Sequence, residues 1–125
     1  MTSINKCLTY VKATKPRSAW GKGVRLYAIE LLNKAKEWNG GAFDFTMNNY
    51  KRILLNGASN WKQYSEGGCS LIYNVDIAKR VCSKSELVKT RYGEKDPNPH
   101  EDWLQCQARA LYQAESLIAD AIMEA

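Results

Sequence analysis

The stretch Asn98-Pro-His-Glu-Asp-Trp-Leu-Gln-Cys-Gln-Ala-Arg-Ala-Leu-Tyr-Gln-Ala-Glu-Ser-Leu-Ile-Ala-Asp-Ala-Ile122 carries the clearest helix signal in the chain. Asn98 is a good N-cap, Pro99 suits a first helical position that has no N–H partner to lose, and Glu101 completes the elements of a capping box. Beyond that start, Trp103, Gln107, Ala110, Leu111, Ala114, Leu117, Ile118, Ala121 and Ile122 recur on one face at helical period. The alanines keep this face shallow, so a second helix can approach closely. The reading predicts an all-α (mainly α) domain with this long helix as half of its spine.

The other half is predicted upstream. Ser18 caps a helix running through Trp38 in which Trp20, Val24, Tyr27, Leu31, Ala35 and Trp38 share a face, widened by Ala28 and Leu32. Gly21 and Gly23 together cost ~1 kcal/mol or more against alanine, which points to a close helix crossing or backbone contact near the first turn. Asn39-Gly40-Gly41 ends the helix. Before it, Ile4, Cys7, Leu8 and Val11 form one stripe from a Ser3 cap to about Thr14, and Pro16 forbids continuation. After it, Phe43, Met47, Tyr50 and Leu54 suggest a helix over Phe45 to Leu55, with Asp44 as N-cap, Asn56-Gly57 as stop, and Lys51 and Arg52 exposed. Residues 90–98 read as a polar surface loop. The sum is a single domain over 1–125, with about five to six helices.

Composition bounds the class. With 125 residues, 45% hydrophobic and 25% charged, the chain can bury roughly two-thirds of its unfolded surface without a metal or disulfide staple. No apolar run approaches the ~20 residues that cross a bilayer, and Met1-Thr-Ser-Ile-Asn-Lys6 has no secretory pattern, so cytoplasmic residence (in a host cell) and no membrane partner are expected. Cys7, Cys69, Cys82 and Cys106 are far apart and form no C-x-x-C pair, which suits reduced thiols; with His100 they match no zinc-ligand spacing, and neither metal nor cofactor is expected. The net charge of +5 is unevenly distributed: Lys6, Lys12, Lys15, Arg17, Lys22 and Arg25 precede any acid, whereas Glu101, Asp102, Glu115, Asp120 and Glu124 face Arg109 alone. This asymmetry admits an anionic partner such as nucleic acid, or a merely solvated set of helix faces.

The centre of the chain is harder to assign. Asn60-Trp-Lys-Gln-Tyr-Ser-Glu-Gly-Gly-Cys69 reads as a helical turn ending on glycines. As a ligand loop it offers backbone N–H groups to an anion, Trp61 and Tyr64 for stacking, and Gln63 for a base edge, beside Lys62 and Glu66. As structure alone it plugs one end of the core. Leu71-Ile72-Tyr73 is core whose strand or helix character periodicity leaves open.

From Asn74 or Val75 a helix places Ile77, Ala78, Val81 and Cys82 inward and Lys79 and Arg80 outward, and Ser83-Lys-Ser-Glu86 is a capping box for the next. The pair resembles a helix-turn-helix at Ala78, Val81 and Val88, but departs from it at Cys82, Ser83 and Arg91. In such a motif Lys84, Ser85, Lys89 and Arg91 would meet phosphates or bases. Catalysis has little to stand on, since His100 lies in a helix first turn and no H-E-x-x-H, P-loop or nucleophile elbow occurs.

Ser18-Ala-Trp20, Gly23-Val24, Tyr27-Ala28, the Asn60 to Cys69 block, Asp76-Ile-Ala78, Cys82-Ser83, Ser85-Glu-Leu87, Trp103-Leu104 and Gln107-Ala-Arg-Ala-Leu111 resemble a family of small uncharacterised proteins from phages and other mobile elements of gut Firmicutes. That resemblance implies an anti-defence context. It leads to the expectation of a non-enzymatic, anti-CRISPR-like inhibitor of a bacterial defence system that binds a defence protein, such as a CRISPR nuclease, or its RNA or DNA. The binding residues would be Trp61, Lys62, Gln63, Tyr64, Glu66, Lys79, Arg80, Lys84, Lys89 and Arg91. A small DNA-binding regulator is the alternative, and a nucleotide sensor or sponge the third reading; the oligomeric state is open.

Overall fold

The computed structural model describes residues 3–39, 44–57, 61–66, 69–74 and 99–124, with side chains over 3–18, 20–38, 44–54 and 109–124. The fold is mainly helical. Its elements in order are α1 (Ile4–Ala13), α2 (Ala19–Asn39), α3 (Tyr50–Gly57), β1 (Trp61–Glu66), β2 (Cys69–Asn74) and α4 (Pro99–Glu124). These are four helices among the described residues where five to six were expected. The further helices anticipated from Asn74 or Val75 to Val88, and the loop over 90–98, lie outside the described residues except for Asn74, which ends β2.

α1 begins and ends by local chemistry. Ser3 is extended and its side-chain oxygen accepts from the Lys6 N–H at 3.2 Å. At the other end the Thr14 N–H and hydroxyl both donate to the Val11 carbonyl, at 3.1 and 2.6 Å. Arg25 reaches across from α2, its Nη2 donating to the Lys12 carbonyl at 2.8 Å, a cation placed at the negative end of α1. The expected stripe of Ile4, Cys7, Leu8 and Val11 is buried. Burial in apolar surroundings pushes the Cys7 thiol up to about 11.

α2 starts as the Ser18 cap predicts, with the Gly21 N–H donating to Ser18 Oγ at 2.9 Å. Gly21 answers the question its presence raised. A Cβ there would stand 2.8 Å from Pro16 Cβ and 3.1 Å from Ser18 Oγ, so the close neighbour is the linker before the helix rather than a crossing helix. Val24, Tyr27, Ala28, Leu31, Leu32 and Ala35 are buried, but Trp38 is 53% exposed. The buried stripe stops at Ala35, and Trp38 lies in the last turn of α2 beyond it.

α3 corrects its predicted start. The helix opens at Tyr50 rather than Phe45, because Asn49 organises a turn ahead of it. Asn49 Oδ1 accepts from the Thr46 N–H at 2.8 Å, Nδ2 donates to the Asp44 carbonyl at 3.0 Å, and the Asn49 carbonyl accepts from the Ile53 N–H at 3.0 Å. Asn49 therefore stands where Asp44 was expected, and Asp44 instead pairs with Ser3 in an isolated antiparallel bridge. Helical spacing does not apply across the turn, which leaves Met47 47% exposed while Phe45 is fully buried. Phe45 meets Tyr50 edge to face, with centroids 6.4 Å apart and planes at 88°. That contact adds ~0.5–1.5 kcal/mol to area burial.

α4 begins at Pro99 as expected and packs on α2, α1 and the β1–β2 hairpin. Ala110, Leu111, Ala114, Ile118, Ala121 and Ile122 are buried, and Leu117 packs partly buried against them. Alanines at 0% exposure on both spine helices (Ala28 and Ala35 on α2, Ala110, Ala114 and Ala121 on α4) let the backbones approach. Each fully buried Leu or Ile contributes ~1.5–3 kcal/mol of transfer free energy, and Ile4, Leu31, Leu32, Ile53 and Ile118 join all four helices into one core.

Candidate binding surface

The segment expected to form a helical turn is a strand. β1 pairs antiparallel with β2 over six residues, in the register Trp61↔Asn74, Lys62↔Tyr73, Gln63↔Ile72, Tyr64↔Leu71, Ser65↔Ser70 and Glu66↔Cys69. The physical reason is composition and spacing. Trp61, Tyr64, Ile72 and Tyr73 are residues that favour strands, and the two runs are separated by Gly67-Gly68 alone, a two-residue separation typical of short hairpins. The same register makes Leu71-Ile72-Tyr73 part of β2.

The ribbon gathers five expected binding residues, Trp61, Lys62, Gln63, Tyr64 and Glu66, on one strand, and the hairpin packs against α4. The other five, Lys79, Arg80, Lys84, Lys89 and Arg91, lie outside the described residues, as does Ser85. Among the described residues the sheet has two strands, so the outer edge of each strand has no ladder partner.

Exposed cations occur on all four helices. Lys12, Lys15, Arg17 and Lys22 are all exposed around the junction of α1 and α2. Lys51 and Arg52 are exposed on α3 as expected, with Lys51 Nζ 6.0 Å from the Tyr50 ring centroid. Glu115 on α4 is half-buried; desolvation raises its carboxyl pKa, and the positive charge of Lys51 opposes that shift. Sequence reading missed the contacts that fix this frame. Trp20 Nε1 donates to Gln113 Oε1 at 2.7 Å, and Arg25 to the Lys12 carbonyl. Trp20 and Gln113 are 93 positions apart, and no local pattern pairs them.

His100 sits in the first turn of α4. Among the described residues no group of three or more His, Cys, Asp or Glu side chains is placed to hold a metal ion, and no helix is long and apolar enough to cross a membrane. The chain matches no family model, no curated protein and no solved structure.

Proposed function

We propose that this chain is a non-enzymatic inhibitor of a bacterial defence system, anti-CRISPR-like, acting by stoichiometric binding to a defence protein, with the β1–β2 hairpin as its recognition element. The observation that carries the reading is the hairpin itself. The Asn60 to Cys69 block, one of the stretches behind the expected resemblance to mobile-element proteins, supplies β1, and β1 brings two aromatic, one basic, one acidic and one amide residue onto a single strand held against α4. A ribbon edge that has no ladder partner among the described residues can accept a strand from another protein, with main-chain hydrogen bonds giving affinity and alternate side chains giving specificity. The net charge of +5 argues against mimicry of duplex DNA, which requires the opposite sign.

The test is affinity purification of the tagged chain from a host that carries its defence systems, followed by titration of the captured nuclease or defence protein in an activity assay. Inhibition that saturates near one equivalent supports the proposal. A chain that captures no such protein but binds duplex DNA with steep salt dependence is a regulator instead. A nucleotide found by mass spectrometry after native purification favours the sponge.

A further inference from the structure

We infer that the corner where α1 meets α2 is a binding site for the phosphodiester backbone of a nucleic acid, separate from the hairpin and independent of the reading proposed for it. The corner is built from the end of α1, the linker 14–18 and the first turns of α2. Three contacts fix it. The Thr14 N–H and hydroxyl close the end of α1 on the Val11 carbonyl. Pro16 lies against Gly21, where a Cβ would be 2.8 Å from Pro16 Cβ, so Lys15 and Arg17 are held beside the turn that carries Lys22. Arg25 Nη2 donates to the Lys12 carbonyl at 2.8 Å, which brings Lys12 to the same corner. Lys12, Lys15, Arg17 and Lys22 are all exposed there.

What sets this corner apart from an ordinary solvated face is the local absence of acid: the chain has no Asp or Glu before Glu30, and among the described residues none of these four cations is ion-paired to a carboxylate. Arg17 precedes the Ser18 cap, Lys22 follows the first turn, and that first turn holds no acidic residue. Lys12 lies in the last turn of α1, where a cation complements the helix dipole, so the corner gathers cations between the end of one helix and the start of the next. A phosphate backbone supplies the negative charge that this stretch of the chain lacks. Phosphate contact of this kind positions a nucleic acid without reading its sequence.

The test uses the full chain with two probes, a single-stranded RNA and a duplex DNA of about 20 nucleotides or base pairs, titrated from about 50 to 200 mM salt. Binding is expected to one or both, and the arms tell which nucleic acid is held. Changing Lys15→Gln, Arg17→Gln and Lys22→Gln together should lower the slope of log affinity against log salt by about two for RNA, or nearly three for duplex DNA. The same variant should melt close to the parent, because all three side chains are exposed and none is ion-paired among the described residues. A control that removes three exposed charges elsewhere, Lys36→Gln, Lys51→Gln and Arg52→Gln, should keep the parent's slope. The inference is overturned if the parent binds neither probe at about 50 mM salt, or if the corner variant keeps the parent's slope. It is equally overturned if the control loses as much as the corner variant, since binding is then general attraction to a cation.

Discussion

The indole of Trp20 donates to Gln113 Oε1 at 2.7 Å, tying the first turn of α2 to the middle of α4 across 93 positions of sequence. The two spine helices are thus joined by a directed polar contact as well as by their buried alanines. Trp20→Phe and Gln113→Ala should each destabilise the fold, the bond itself contributing ~0.5–1.5 kcal/mol. Denaturant midpoints in a double-mutant cycle check this, with a coupling of at least ~0.5 kcal/mol expected and strict additivity contradicting the contact.

Gly21→Ala should destabilise the chain even though alanine is the better helix former. A methyl group there meets Pro16 Cβ at 2.8 Å, and overpacking of this kind costs ~1–3 kcal/mol against a propensity gain of ~1 kcal/mol. Changing Pro16→Gly in the same chain removes the clash, so the penalty for Gly21→Ala should shrink there. Thermal melts of the four chains read it directly.

Glu115 links stability to pH. Burial raises its folded-state pKa above the unfolded value, so the folded chain holds this proton to a higher pH than the unfolded chain does. The contribution is fully present below the unfolded pKa and is lost as pH rises through the folded one. Glu115→Gln should therefore be more stable than the parent at pH 7, with the gap closing as pH falls through the ordinary carboxylate range near ~4. Lys51→Met, which removes the opposing charge, should widen the gap at pH 7.

Cys7 should be inert in the folded chain. It is fully buried and its thiol is pushed up to about 11, so little thiolate exists at neutral pH and access requires opening. Residue-resolved mass spectrometry after alkylation should find Cys7 modified at a rate that follows denaturant concentration. Rapid labelling under native conditions would place α1 off the core.

Much of this fold is legible in residue spacing, and the failures have physical causes. α1, α2 and α4 announce themselves because each combines a capping residue or an N1 proline with a stripe at helical period, and tertiary packing follows the stripe. Trp38 fits the α2 stripe by angle alone and is exposed because burial depends on what lies opposite, which spacing does not encode. α3 starts later than the Asp44 cap predicts because Asn49, with both a donor and an acceptor, holds a turn ahead of Tyr50 that residue spacing does not reveal. At the candidate surface, Gly67-Gly68 reads as a helix stop or a ligand loop, whereas two residues between runs that hold Trp61, Tyr64, Ile72 and Tyr73 are also a hairpin signal. The residues proposed for recognition are chosen by side-chain type; their arrangement along one strand depends on pairing with β2, a partner that local periodicity leaves undecided.

The central claim is that the hairpin carries recognition, and one comparison tests it most directly. A chain altered at Lys62→Glu, Gln63→Ala and Glu66→Lys, with α1, α2 and α4 untouched, is set beside the parent in the same affinity capture from a defence-carrying host. Circular dichroism and melting confirm that both are folded. The account predicts that the parent retains the defence protein and that the altered chain loses at least ~90% of it, a tenfold change or ~1.4 kcal/mol. Equal capture by the two folded chains would contradict it.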